Sequence, residues 1–365
     1  MNQKAFKKWI FESFDVNEQG LALSRIFSAL FILFFLVPGS GISHFAYLSE
    51  VPPDFFDPPP GPMLLLDQFP PLVVFQTVHT LIVIAAIAML FGYYTKWASI
   101  ITGVSILLLQ GFIFSLGKVN HEILIAVVPV IMGFSNWGAA YSVDAMRGLA
   151  DSKTESWPLT LLALIIGFMM FTAGFPKILG GWLDPSTQAV QGHLLNQFYV
   201  RERDAFLAGY FAVFDNVVFW ELLDWATIIF EVGFLVAVLK AKWFKLFVCL
   251  AVVFHFSTMM MLNIAFLPNF LAYALFLPWN RIYEGIRKFY IRRSGIKGQK
   301  SHHRTVQYYA LILLISFSVI KWLSDKDLVL QQSDLTLHES VFLIFALFVV
   351  MWLGIKQLRQ IKKVT

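Results

Sequence analysis

The chain has 365 residues, of which 58% are hydrophobic and 14% charged, with 38 Phe and a mean hydropathy of +0.68. Soluble domains carry roughly 25% charged residues and could not shelter this much apolar surface in one core, so the composition excludes a soluble globule, a disordered chain and a fibrous repeat. The net charge of +5 lies in short basic runs between apolar stretches, as in a membrane chain facing anionic lipid, and does not indicate nucleic acid.

The first elements read as follows. Residues 1–18 mix Lys4, Lys7 and Lys8 with Phe6, Trp9, Ile10 and Phe14 at helical spacing, which predicts an amphipathic helix lying on a membrane surface. Apolar runs then recur at 21–37, 71–92, 98–116, 122–141, 159–175, 218–239, 246–263, 264–277, 306–323 and 341–355. A helix crossing hydrocarbon needs about 20 apolar residues, and continuous rather than alternating runs favour helices over a barrel. The expected fold is an all-α polytopic transmembrane bundle of about ten spans, both termini cytoplasmic. Residues 19–280 form the main membrane domain, 281–305 a basic cytoplasmic loop, and 306–365 two additional helices with a basic tail. The run 264–277 is short enough to be a hairpin partner or a re-entrant segment.

Charge placement tests this topology. With a cytoplasmic N-terminus, the segments outside the cytoplasm hold only Lys118, Lys177, Arg201, Arg203, Lys321 and Lys326, and Arg25 lies near the inner end of the first span. The bias persists to the C-terminus, which supports an even number of crossings. Two outer segments are long. Residues 39–70 are proline-rich and irregular, and residues 177–216 suit a short helix around 186–199. The lone Cys249 forms no internal disulfide.

Ionisable groups inside a bilayer are costly and mark bundle interiors or cavities. The sixth run carries Glu221, Asp224 and Glu231, with Asp224 and Glu231 seven apart on one helical face. The seventh carries His255 near its centre. The third loop reads Gly117-Lys118-Val119-Asn120-His121-Glu122, and the fifth run ends Ala173-Gly174-Phe175-Pro176-Lys177. Gly167 and Gly174 would let a neighbouring helix approach closely. Each feature also has a packing explanation. His255 and Glu231 suit interhelical hydrogen bonds, Lys177 an interfacial snorkelling amine, and Asn120–His121 a helix cap. No His pair has metal-ligand helical spacing, so no metal is expected.

The run 117–122, a following apolar span and Tyr141-Ser142-Val143-Asp144 resemble the membrane part of the vitamin K-dependent γ-glutamyl carboxylases, also called the horizontally transferred transmembrane (HTTM) domain. Gly92-Tyr93-Tyr94-Thr95-Lys96, the segment 173–177 with Gly181-Trp182, and Phe254-His255-Phe256 match in the same order. The resemblance covers roughly residues 10–280. It implies Lys177 as a base that deprotonates a reduced quinone of the vitamin K or menaquinol type, with His121 as the second catalytic residue, which with Asn120 positions the quinol or intermediate. His255, Trp182 and Glu231 would line the pocket. Pro176 stands where the family has a first lysine, and no counterpart of the carboxylases' large extracytoplasmic domain is expected here.

Three functions follow as expectations. The first is quinol-coupled chemistry on an exported peptide at the outer face of a bacterial inner membrane. The second is a non-catalytic accessory role in maturing or exporting a secreted peptide. The third is a proton or ion pathway through Asp224, Glu231 and His255.

Overall fold

A computed structural model describes residues 2–36, 47–117 and 122–294, apart from Asp15, Ser152 and Ala265, with scattered positions beyond. The expected spans at 306–323 and 341–355 lie largely outside the described residues. Every regular element among the described residues is helical. The chain divides into two compact units, one of residues 1–160 and 268–320, the other of residues 161–267 and 321–365.

The first unit begins with α1 (Gln3–Glu12) and α2 (Glu18–Phe31), each started by an asparagine whose side chain accepts a backbone N–H. Their carbonyl oxygens cap the free donors of the first turn. Next come α3 (Leu72–Phe91) and α4 (Thr95–Phe114), an antiparallel pair of continuously apolar helices joined by a three-residue turn. Then follow α5 (Ile123–Met132) and the short α6 (Val143–Met146). The fourth expected span, 122–141, is thus helical only in its first half. Pro129 removes one backbone donor inside α5, and Asn136 adopts a left-handed φ of 57° beyond its end. The unit closes with α12 (Leu267–Ala274) and α13 (Trp279–Ser294). At 8 residues α12 is too short to cross a bilayer.

One end of this unit is tied together by polar contacts, the deepest of them buried. Asp144 accepts from Tyr94 N at 2.9 Å, Thr95 N at 2.7 Å and Thr95 Oγ1 at 2.6 Å, so a distant carboxylate caps α4. The fully buried Arg25 donates Nη2 to Tyr141 O at 2.6 Å. Tyr283 of α13 packs on Tyr141, Trp279 packs on Phe27, and Thr160 donates to Ile10 O at the end of α1 at 2.9 Å. Lys96, Arg147 and Arg281 lie at this end, together with α1. The opposite end carries the segment 47–67, where Asp57 N donates to Ser115 O at 3.3 Å and Met63 packs on Gly111. Its charged residues are Glu50, Asp54, Asp57 and Asp67. The described part of the proline-rich segment is a series of single 3₁₀ turns, in keeping with the irregular loop expected.

The second unit holds most of α7 (Trp157–Leu179), then α8 (Ala189–Leu195), α9 (Ala208–Ala212), α10 (Val217–Ala237) and α11 (Ala241–Leu262). The helix expected around 186–199 is α8 with a π-helical turn over Asn196–Val200. Helices α7 and α10 run antiparallel. Gly167 faces Leu235 and Val238, whereas Gly174 faces Glu231 and Val232. Helices α10 and α11 interlock through Phe230, Phe234, Phe244, Phe247 and Phe254. Helices α8 and α9 cover the first half of α10 through Leu194, Ala208 and Trp220.

Among the described residues four helices, α3, α4, α7 and α11, are long and apolar enough to cross a membrane. Helix α10 has 21 residues but carries Glu221, Asp224 and Glu231.

Candidate functional site

Twenty residues separate Lys177 from the start of α7, so its Cα lies about 30 Å along the helix, the thickness of a hydrocarbon core. A bilayer-spanning α7 would therefore carry Lys177 at one membrane boundary. The next residues fold back over it. Gly181 N donates to Ile178 O at 3.3 Å and Trp182 N to Lys177 O at 3.1 Å. This is the paired-bond helix ending that needs a left-handed residue at its turn, and Gly181 supplies it with φ 79°. The cap returns the Trp182 ring to 4.9 Å from Lys177 Nζ, over the ring face. His193 of α8 packs against Trp182 as well, 5.4 Å between ring centroids.

The amine meets a carboxylate from the next helix. Lys177 Nζ donates to Glu231 Oε1 at 2.5 Å and Oε2 at 2.6 Å. The Glu231 side chain is 6% exposed and the Lys177 side chain 24%. Gly174, three residues before Lys177 and so on the same face, makes this reach possible. A Cβ there would fall 2.7 Å from Glu231 Cβ and 3.2 Å from Oε2. The ammonium therefore has three partners of different kinds: a bidentate buried anion, an aromatic face, and the water that its remaining exposure admits. Charge-assisted hydrogen bonds of this length are the strong ones in a low-dielectric setting.

Asp224 does different work. Its Oδ2 accepts from Ala189 N at 2.9 Å and its Oδ1 from Val190 N at 2.8 Å, so it caps α8. Gln188 Nε2 reaches Glu221 Oε1 at 3.3 Å beside it. Asp224 and Glu231 share a face of α10 as their spacing implies, but the first holds a peripheral helix and the second holds an amine.

His255 is buried on α11, its ring 4.6 Å from that of Phe266 and 5.6 Å from that of Phe254. The structure thus brings Lys177, Trp182 and Glu231 together, and holds His255 by aromatic contacts. Asn120 and His121 lie outside the described residues. His193 had no sequence signal, because nothing in its short polar segment indicates that α8 folds back toward the end of α7. Among the described residues, no group of three or more His, Cys, Asp or Glu side chains is arranged to hold a metal ion.

A bundle of long apolar helices with an ion pair between two of them defines an integral membrane protein in contact with lipid. The family model for the HTTM domain matches residues 15–280, and the chain belongs to that family, the membrane domain associated with vitamin K-dependent carboxylases. No curated protein and no solved structure matches the chain.

Proposed function

We propose that the chain is a membrane enzyme in which Lys177 and Glu231 form one acid–base centre acting on a lipid-soluble ring bearing a hydroxyl, a reduced quinone being the class that fits. The observation that carries this reading is the bidentate pair at 2.5 and 2.6 Å between an interfacial amine and a buried carboxylate. The donor set suits such a ring. Trp182 offers a flat apolar face, Glu231 accepts from a hydroxyl, and Phe171 and Phe175 stack on the same helix at 5.4 Å. A reduced quinone held there would supply a weakly acidic hydroxyl.

The protein's own part is to move and hold protons. In the resting pair the proton is on Lys177 Nζ, and an ammonium is no base. Transfer of that proton to Glu231 leaves a neutral amine beside a neutral acid, and weak solvation reduces the penalty for losing the two charges. Nζ then accepts a proton from the bound hydroxyl, and the regenerated ammonium faces the anion it has made. Trp182 restricts water access to Nζ from the side it covers.

A cytoplasmic N-terminus, which the charge distribution of the first unit supports, would put the start of α7 inside and Lys177, about 30 Å further along the same helix, at the outer leaflet of a bacterial inner membrane, where an exported peptide could be handled. Full-length protein in lipid nanodiscs, supplied with dioxygen as the electron acceptor, should oxidise a menaquinol-type quinol, followed by absorbance. Lys177→Ala should abolish turnover and Glu231→Gln should cut it by at least tenfold, both with retained helical content. Unchanged turnover in Lys177→Ala would remove the assigned base.

A second reading rests on the segment 47–67. Phe55, Leu64 and Leu65 are exposed there among four carboxylates, with Leu65 85% exposed. This surface suits an accessory role in which an exported basic, apolar peptide docks. In a cell-based maturation assay that role predicts loss of function in Leu64→Ser/Leu65→Ser and full function in Lys177→Ala.

A further inference from the structure

The basic end of the first unit presents two amphipathic helices that the acid–base reading does not use. On α1, Phe6, Trp9 and Ile10 fall on one side by helical spacing and Lys4, Lys7 and Lys8 on the other. Trp9 and Ile10 are half-buried, whereas the three lysines are exposed. The helix is not a loose tail. Its last turn is pinned because the Ser156 hydroxyl donates to Phe11 O and the Thr160 hydroxyl to Ile10 O. These are carbonyls that a helix end would otherwise leave unsatisfied.

Helix α13 has the same design. Trp279, Ile282, Tyr283 and Ile286 lie on one arc, and Arg281, Glu284 and Lys288 on the opposite one, with Arg287 at its edge. Trp279 and Tyr283 pack on Phe27 and Tyr141, but Ile286, one turn further, is 55% exposed. The apolar stripe therefore continues past the bundle that covers its start. Phe6 and Phe11 of α1 are likewise 46% and 52% exposed. Both helices leave the same end of the unit, since Gly20 at the start of α2 sits against Asn280 at the start of α13. Between α1 and the start of α7 an open groove of about 980 Å³ is walled by Phe11, Phe14, Phe134 and Trp157.

We infer that α1 and α13 form a basic collar that binds anionic phospholipid headgroups of the leaflet in which this end is embedded. The phosphates meet Lys4, Lys7, Lys8, Arg281, Arg287 and Lys288. The exposed rings and Ile286 enter the acyl boundary, and the groove gives one chain an apolar wall. Charge complementarity selects the occupant. The exposed cations share two helices held to the bundle with the exposed Phe6, Phe11 and Ile286, charge on one arc and apolar groups on the other, the arrangement that interfacial helices use on anionic membranes. A soluble polyanion would have no use for the apolar stripes.

The test uses the full chain in nanodiscs of equimolar phosphatidylglycerol and phosphatidylcholine, with retained lipids counted by native mass spectrometry at rising salt. Phosphatidylglycerol should be retained preferentially and the preference should fall with salt. K4E/K7E/K8E should reduce it by at least tenfold, since each basic residue near an anionic surface is worth roughly fivefold. K4Q/K7Q/K8Q provides the neutral comparison should charge reversal impair folding, and should lie in between. Equal retention of the two lipids by the wild type, or unchanged preference in both variants, overturns the collar. Neither result touches Lys177 or Glu231, so the outcome is separable from the enzymatic reading.

Discussion

Breaking the Lys177–Glu231 pair from its two sides should have unequal consequences. Lys177→Met leaves a carboxylate whose side chain is 6% exposed and whose two oxygens have lost the amine that held both. An uncompensated buried charge of this kind costs about 3–5 kcal/mol. Glu231→Gln leaves an ammonium that is 24% exposed and still sits 4.9 Å over the Trp182 ring. That cation can shift toward water along its flexible stem, so the cost should be about 1–2 kcal/mol. Removing both charges in Lys177→Met/Glu231→Leu should restore stability to within about 1 kcal/mol of the wild type, because apolar replacement of a buried pair is commonly neutral or stabilising. The double-mutant cycle, closed by the single variant Glu231→Leu, should then show a coupling of at least about 3 kcal/mol. Unfolding of the wild type, the single variants and the double variant by denaturing detergent in mixed micelles, followed by circular dichroism, gives the comparison. Additive single effects, or a larger cost for Glu231→Gln than for Lys177→Met, would refute the geometry. A stable double variant without turnover would separate what the pair contributes to chemistry from what it contributes to folding.

Three further outcomes are expected. Gly181→Ala forces a Cβ into a left-handed turn at φ 79° and should cost about 1–2 kcal/mol, with faster hydrogen exchange at the Trp182 amide as the specific sign. Asp184 accepts from the Ser186 N–H and hydroxyl, which hold its carboxyl below the usual aspartate range. The turn is thus stabilised at pH values above that range and loosens as acid protonates Asp184, so exchange at the Ser186 amide should accelerate on acidification and stay slow at neutral pH. Asp144→Asn keeps the carboxylate's shape but only one good acceptor for Tyr94 N, Thr95 N and Thr95 Oγ1. It should cost about 1–3 kcal/mol in the same detergent titration, while Asp151→Asn, in the loop before α7, serves as a near-neutral control.

The long apolar helices were legible because hydrocarbon leaves a chain few options. Helices α3, α4, α7 and α11 coincide closely with four of the expected runs. Helix ends were less legible. Hydropathy continues through Ile131 to Tyr141, yet α5 stops at Met132, because backbone geometry near Pro129 and Asn136 overrides apolarity. Lys177, Trp182 and Glu231 were each marked by sequence, but for separate reasons, and their meeting depends on a helix cap and a helix crossing that span 54 residues of chain. The segments 92–96 and 141–144 drew notice as a family pattern. Their described contacts join α4 to the 141–144 turn through Asp144 and fix Arg25 on Tyr141 O, so these residues build the end of the bundle.

Packing decides which carboxylate of α10 becomes the partner of Lys177. Gly167 and Gly174 are seven residues apart, as are Asp224 and Glu231, so each pair lies within about 20° of one helical face. The glycines form the close-approach seam of α7, and Gly174 admits Glu231 to within van der Waals distance one turn before Lys177. In this antiparallel register Asp224 falls beyond the end of α7, where only the free N–H groups of α8 are left to satisfy it. A shift of α10 by two turns along α7 would exchange their roles, giving Lys177 a partner already engaged with backbone donors and leaving Glu231 opposite Gly167, in the place that Val238 and Leu235 now hold. The apolar cost of that exchange, a carboxylate without an amine in the middle of two spanning helices, fixes the register, and the register in turn selects Glu231.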